Sequence, residues 1–95
     1  ERRMIEEKLT IYGKLGASDF PDWIVHRARR LGLGGRIVSI GDELIETLVV
    51  GPADLVDAME VGCSLGPISV QVERIDRAAA DIDVVDQPFA YISGG

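Results

Sequence analysis

Ninety-five residues with a hydrophobic fraction of 46% make one domain that buries a modest core without disulfides or metal, which excludes a disordered chain. A formal charge of −6 offers no basic surface to nucleic acid or to an anionic membrane, and no apolar run reaches transmembrane length. The single cysteine, Cys63, excludes an internal disulfide and a thiolate cluster, so no metal or cofactor is expected.

A lone thiol suits a reducing compartment, and with no signal peptide visible the expected location is cytoplasmic. Glu1 to Arg3 precede Met4 and are read as a remnant outside the fold, leaving residues 4–93 as one domain.

Leu9 and Ile11 alternate with Thr10 and Tyr12, the period of a strand. Gly13 to Phe20 follow as a glycine-bracketed loop. Pro21 suits the first turn of a helix, with Ser18 or Asp19 as cap. Phe20, Ile24, Ala28 and Leu31 fall on one helical face; Arg27, Arg29 and Arg30 crowd the last turn, where the dipole favours cations; Gly32 is the stop.

Arg36–Ile40 and Glu43–Val50 read as two strands joined by Gly41-Asp42, a tight hairpin. A second helix opens at Pro52 and Asp54, with Leu55, Val56 and Met59 on one face. "GPISVQVERI" reads as a long strand from Gly66, with Ile68, Val70 and Val72 facing one way. Asp81 to Asp86 is an acidic loop or weak strand, and Pro88–Ile92 a short last strand at an edge. The order β-α-β-β-α-β plus a terminal strand is the α+β, ferredoxin-like plan. It is a two-layer sandwich, an antiparallel sheet with two helices on one face.

With the elements in that order, the residues resemble the acylphosphatase family over roughly residues 9 to 92. Gly13, Lys14 and Leu15 stand at its G-R-V, and Phe20 at its phenylalanine slot. Leu31, Gly32, Leu33, Gly35 and Ile37 then fall in register with its L-G-L-x-G-W-V. Gly51-Pro52 stands where the family's second helix begins, and "GPISVQVERI" matches its G-P strand. The resemblance implies hydrolysis of the mixed anhydride between a carboxylic acid and phosphate. Loop amides and an arginine at the helix entrance would hold the phosphoryl oxygens, and an asparagine on the second strand would place the water.

The chain departs from that pattern at both side chains. The arginine falls on Pro21 and the asparagine on Ser39, while Ala17 replaces a loop glycine and Asp19 a small or apolar residue. Proline has neither guanidinium nor N–H, and serine has one donor where asparagine has two. Asp19 and Asp22 oppose a dianion at a helix end that otherwise attracts one. Loss of a single oxyanion donor costs about 10²–10³ in rate. Arg27 lies six residues beyond Pro21, about 9 Å along a helix and out of reach. His26 sits mid-helix, and no Ser-His-Asp or Cys-His arrangement is evident.

The loop from Gly13 through Lys14, Leu15, Gly16, Ala17, Ser18 and Asp19 to Phe20 remains the candidate cradle for a small anion such as phosphate. Its plainer role is a structural turn. Arg27, Arg29, Arg30 and Arg36 read as a solvated cationic face or a site for an acidic partner. Trp23 reads as half-buried packing or as a ligand lid, and Cys63 as a buried filler. Asp81, Asp83 and Asp86 lack the glycine and distal glutamate of a calcium loop. If Ile37 and Ser39 share one face of the hairpin, then Val38, Ile40, Leu44, Leu48 and Val50 line the open face as a surface for another protein or a second copy. The expected function is a non-catalytic binding or self-associating module of acylphosphatase type. The alternative is an acylphosphatase using the loop amides, Lys14 and Ser39. A small-ligand sensor is a third reading, on fold analogy alone.

Overall fold

A computed structural model describes residues 3–80 and the pair 90–91. Strand β1 (Met4–Lys14) leads through the loop into helix α1 (Phe20–Arg30). Strands β2 (Gly34–Ile40) and β3 (Leu44–Pro52) follow, then helix α2 (Ala53–Leu65), strand β4 (Gln71–Ala79) and the two-residue strand β5 (Ala90–Tyr91). The sheet runs β4-β1-β3-β2-β5. Its first four strands are antiparallel to their neighbours, and β5 lies parallel to β2 at the edge. Each helix therefore connects two strands that flank a third, and the two split βαβ units interleave in the ferredoxin-like way. Pro88, Ile92 and the acidic stretch Asp81–Asp86 lie outside the described residues.

The core forms where alternate strand residues meet the helices. Leu9 and Ile11 of β1, Ile37 of β2, and Ile45 and Val49 of β3 are buried with Phe20, Ile24 and Ala28 of α1 and Val56, Met59 and Cys63 of α2. Thr47 is buried in the same row, and its hydroxyl donates to the Arg36 carbonyl at 3.1 Å, so the one hydroxyl among these apolar groups is satisfied. The predicted faces of both helices hold, with Leu31 and Leu55 at the margin as half-buried residues.

Burial pushes the Cys63 thiol up to about 12, against the pull of Arg27. The folded state then keeps the proton to higher pH than the unfolded chain, whose thiol ionises near 9. Stability is complete below that value and falls as pH climbs from about 9 toward about 12, by as much as about 1.4 kcal/mol per pH unit. Urea unfolding across that range is expected to show the slope in the native chain and to lose it in Cys63→Ala. At pH 8 the native thiol is expected to resist a disulfide reagent that labels the unfolded chain at once.

Three sequence expectations change. β1 begins at Met4, well before Leu9, because its polar first half pairs with β3 from Met4↔Pro52 onward and with β4 from Glu7↔Ala79. Glu7 is drawn there into a charge cluster. Arg77 of β4 donates from Nε to Glu7 at 3.0 Å and from Nη1 to Asp57 and Glu60 of α2 at 2.8 and 2.9 Å. The hydrogen bonds it donates to Asp57, then to Glu60, hold the guanidinium protonated far beyond its ordinary range. That raised value keeps the contribution constant until extreme alkali. Removing the cation leaves three carboxylates together, so Arg77→Ala is expected to lower stability by about 1–3 kcal/mol, with a smaller loss at high salt.

The second change is at Gly66. Its φ of +62° turns the chain out of α2, its N–H closes on the Gly62 carbonyl at 2.9 Å, and the Val70 N–H closes a turn on Pro67 at 3.2 Å. The strand expected from Gly66 starts only at Gln71, and Ile68 is fully exposed on the turn.

The third is a bulge in β2. Ile37 pairs with Thr47, but Ser39 pairs with Glu46 and Ile40 with Ile45, leaving Val38 as the extra residue. Parity reverses there. Ser39 joins the row of Glu46, away from Ile37, and Ile40 joins the row of Ile45 on the helix side. The expected open-face set is thus broken up: Ile40 leaves it for the other face, where it is exposed beyond the core, Val50 is buried, Leu44 and Leu48 are half-buried, and Val38 is exposed on the bulge. Charged groups divide what remains, with Lys8 and Glu46 paired at 3.4 Å across the same face.

Candidate functional site

The loop between β1 and α1 is held from two sides. The Gly13 N–H donates to the Glu43 carbonyl at 3.2 Å and the Leu15 N–H to the Asp42 carbonyl at 2.7 Å, fastening the loop to the 41–43 connection between β2 and β3. Leu15 anchors it further by burying its side chain in the core. The Phe20 N–H donates to the Ala17 carbonyl at 3.2 Å, and the Trp23 N–H to the Asp19 carbonyl at 3.0 Å, as α1 begins. Among the described residues, the amides of Gly16, Ala17 and Ser18 have no protein acceptor. Three consecutive free donors at a helix entrance are the geometry of an anion cradle.

The charges around that cradle are negative. Asp19 is the N-cap of α1, but its carboxylate makes no capping bond. It accepts the Ser69 hydroxyl at 3.0 and 3.3 Å, which draws the 66–70 turn against the loop. Asp42 lies beside Gly16, where an added Cβ would meet its Oδ1 at 3.4 Å. Asp22 occupies the first turn of α1. Pro21 is half-buried in that same turn, where the resemblance expects the guanidinium.

No other basic group reaches in among the contacts described. Lys14 lines a separate open cleft with Tyr12, Gly13, Glu43, Leu44 and Glu73. Arg27 stacks on Trp23, 5.2 Å from the ring centroid, further along α1. Arg36 belongs to the Leu48 row of the sheet, apart from Arg27 and Arg30, so the four arginines are not one cluster. Ser39 is exposed on the bulge, in the row of Glu46. Asp42 and Ser69 escaped the sequence reading. Asp42 was legible only as a turn residue, and nothing in the sequence brings Ser69 to Asp19, fifty positions away. Among the described residues, no helix is long and apolar enough to cross a membrane and no cluster of side chains is arranged to hold a metal ion.

No family model matches the chain. It is 36% identical over 78 residues to an acylphosphatase of Acidiphilium cryptum, covering 82% of this chain and 86% of that one. It is 35% identical over 78 residues to an acylphosphatase of Rhodospirillum rubrum, covering 82% and 84%. Among solved structures, an acylphosphatase from Coxiella burnetii superposes with a TM-score of 0.83 at 17% identity, over 93% of this chain and 92% of that chain. The crystal structure of acylphosphatase from Bacillus subtilis gives 0.82 at 16%, over 95% and 99%. The two structures share the fold described above, and the two relatives share about a third of their aligned residues with this chain over most of its length. On that combined ground, this chain belongs to the acylphosphatase family.

Proposed function

We propose that this acylphosphatase-family domain keeps the scaffold without the hydrolytic chemistry and works by binding, in a reducing cytosol that suits its lone buried thiol. The observation that carries this reading is Pro21 in the first turn of α1. An acyl phosphate develops charge on its phosphoryl oxygens as the anhydride breaks, and that charge needs a fixed cation beside the amide donors. Here the entrance has a ring with no donor, and the carboxylates of Asp19, Asp22 and Asp42 stand around it. A charge-reversed rim lowers the local concentration of a dianion before any chemistry begins. On the sheet face, Val38, Leu44 and Leu48 supply the apolar contact for a protein partner or a second copy.

A second reading has its own support. The Gly16–Ser18 amides are free to take an anion, and the relatives at 35–36% identity carry the name of the enzyme. On that reading the domain is an acylphosphatase that relies on the amides, with Lys14 and Ser39 in assisting roles. The two readings separate in one assay, release of phosphate from an aromatic acyl phosphate by the unmodified chain. The first expects the buffer rate. Turnover above it that falls on replacing Lys14 or Ser39 would establish the second.

A further inference from the structure

The exposed side of α1 carries Trp23, His26, Arg27 and Arg30 at positions i, i+3, i+4 and i+7, the spacing that sets side chains in one row. The four line a single cleft of about 250 Å³. Its parts are held in place. The Trp23 ring packs 5.8 Å from the core residue Phe20, and Arg27 lies 5.2 Å over the Trp23 centroid. The Arg27 stem also passes close to Gly62 of α2, where a Cβ would come within 3.4 Å of Nε. An indole on one side and a residue without a side chain on the other fix that guanidinium between the helices.

Among the described residues, His26, Arg27 and Arg30 have no carboxylate partner, in a chain of net charge −6 whose Arg77 alone engages three. The helix dipole accounts for cations in a last turn, but it asks for neither an aromatic wall nor a shared cleft.

We propose that this cleft binds the phosphoryl group of a small phosphate ester. Guanidinium forks match phosphate oxygens in pairs, so Arg27 and Arg30 supply the charged donors and His26 an additional ring N–H. The volume is below the usual range for drug-sized ligands, which suits a phosphate with a small substituent set against the indole. The site is separate from the β1–α1 loop, since Arg27 stands six residues beyond Pro21, about 9 Å along the helix. It stands or falls independently of whether that loop hydrolyses anything.

Trp23 is the only tryptophan, so its fluorescence reports on the cleft directly. The full chain is titrated at constant ionic strength with inorganic phosphate and with phenyl phosphate, and the backbone amides are mapped by NMR in the same series. Saturable fluorescence change with a Kd of about 1 mM or tighter for phenyl phosphate is expected. The amide shifts should centre on residues 23–30. Affinity should fall at least about tenfold in Arg30→Gln, a substitution that leaves the stacked Arg27 in place. Absence of saturation by about 20 mM would overturn the proposal. Equal affinity in Arg30→Gln would do so too. Shifts confined to residues 16–18 would assign the anion to the loop and equally overturn it.

Discussion

Replacing Pro21 with Arg and Ser39 with Asn together is expected to give the chain measurable acyl phosphate hydrolysis, against the buffer rate expected of the unmodified protein. Pro21→Arg restores a guanidinium and a backbone N–H at the entrance of α1, beside the free amides of Gly16–Ser18. A single oxyanion donor is worth about 10²–10³ in rate, so a gain of at least about a hundredfold over the unmodified chain is the expected size. Phosphate release from benzoyl phosphate measures it, with circular dichroism to verify that the fold is kept. Pro21→Arg alone is expected to tighten phosphate binding at the loop before it gives turnover, because holding the anion precedes placing the water. A folded double variant with no gain would show that Asp19 and Asp42 have closed the loop to dianions, beyond what the two missing groups explain.

Gly35→Ala is expected to be the most damaging single substitution for stability. Gly35 sits inside β2 with φ +123°, and an added Cβ would overlap the Leu48 carbonyl oxygen on β3 and lie 2.8 Å from its carbon. The position is buried near the start of the β2–β3 ladder, opposite Val49 and between the Gly34–Val50 and Arg36–Leu48 pairs, so neither backbone can move aside without disturbing that pairing. The strained φ and the overlap each cost about 1–3 kcal/mol, for a total of about 2–6 kcal/mol. For a domain of this size that lowers Tm by at least about 8 °C. Urea and thermal unfolding check it, and a loss under about 1 kcal/mol would mean that the sheet relaxes freely around the methyl group.

The sequence legibly carried the alternation of Leu9 and Ile11, the helical spacing of Phe20, Ile24 and Ala28, and the glycine punctuation between them. These are local periodicities, set by which residues can share one face of one element. The replacement of the arginine by Pro21 and of the asparagine by Ser39 was equally plain, because both are matters of residue identity. The row of Trp23, His26, Arg27 and Arg30 was not read as one, because the arginines were grouped by charge with Arg29 and Arg36 rather than by helical spacing with Trp23 and His26.

Only the tertiary structure decided the rest. The bulge at Val38 sent Ser39 and Ile40 to opposite faces from those expected, because register depends on the partner strand and one extra residue reverses parity beyond it. Ser69 meets Asp19, Asp42 stands over Gly16, and Arg77 gathers Glu7, Asp57 and Glu60 across three elements. What one residue type can do was written in the chain from the start. Which charge stands beside which donor is a property of distance, and residues far apart in sequence acquire a distance only when the sheet and helices pack.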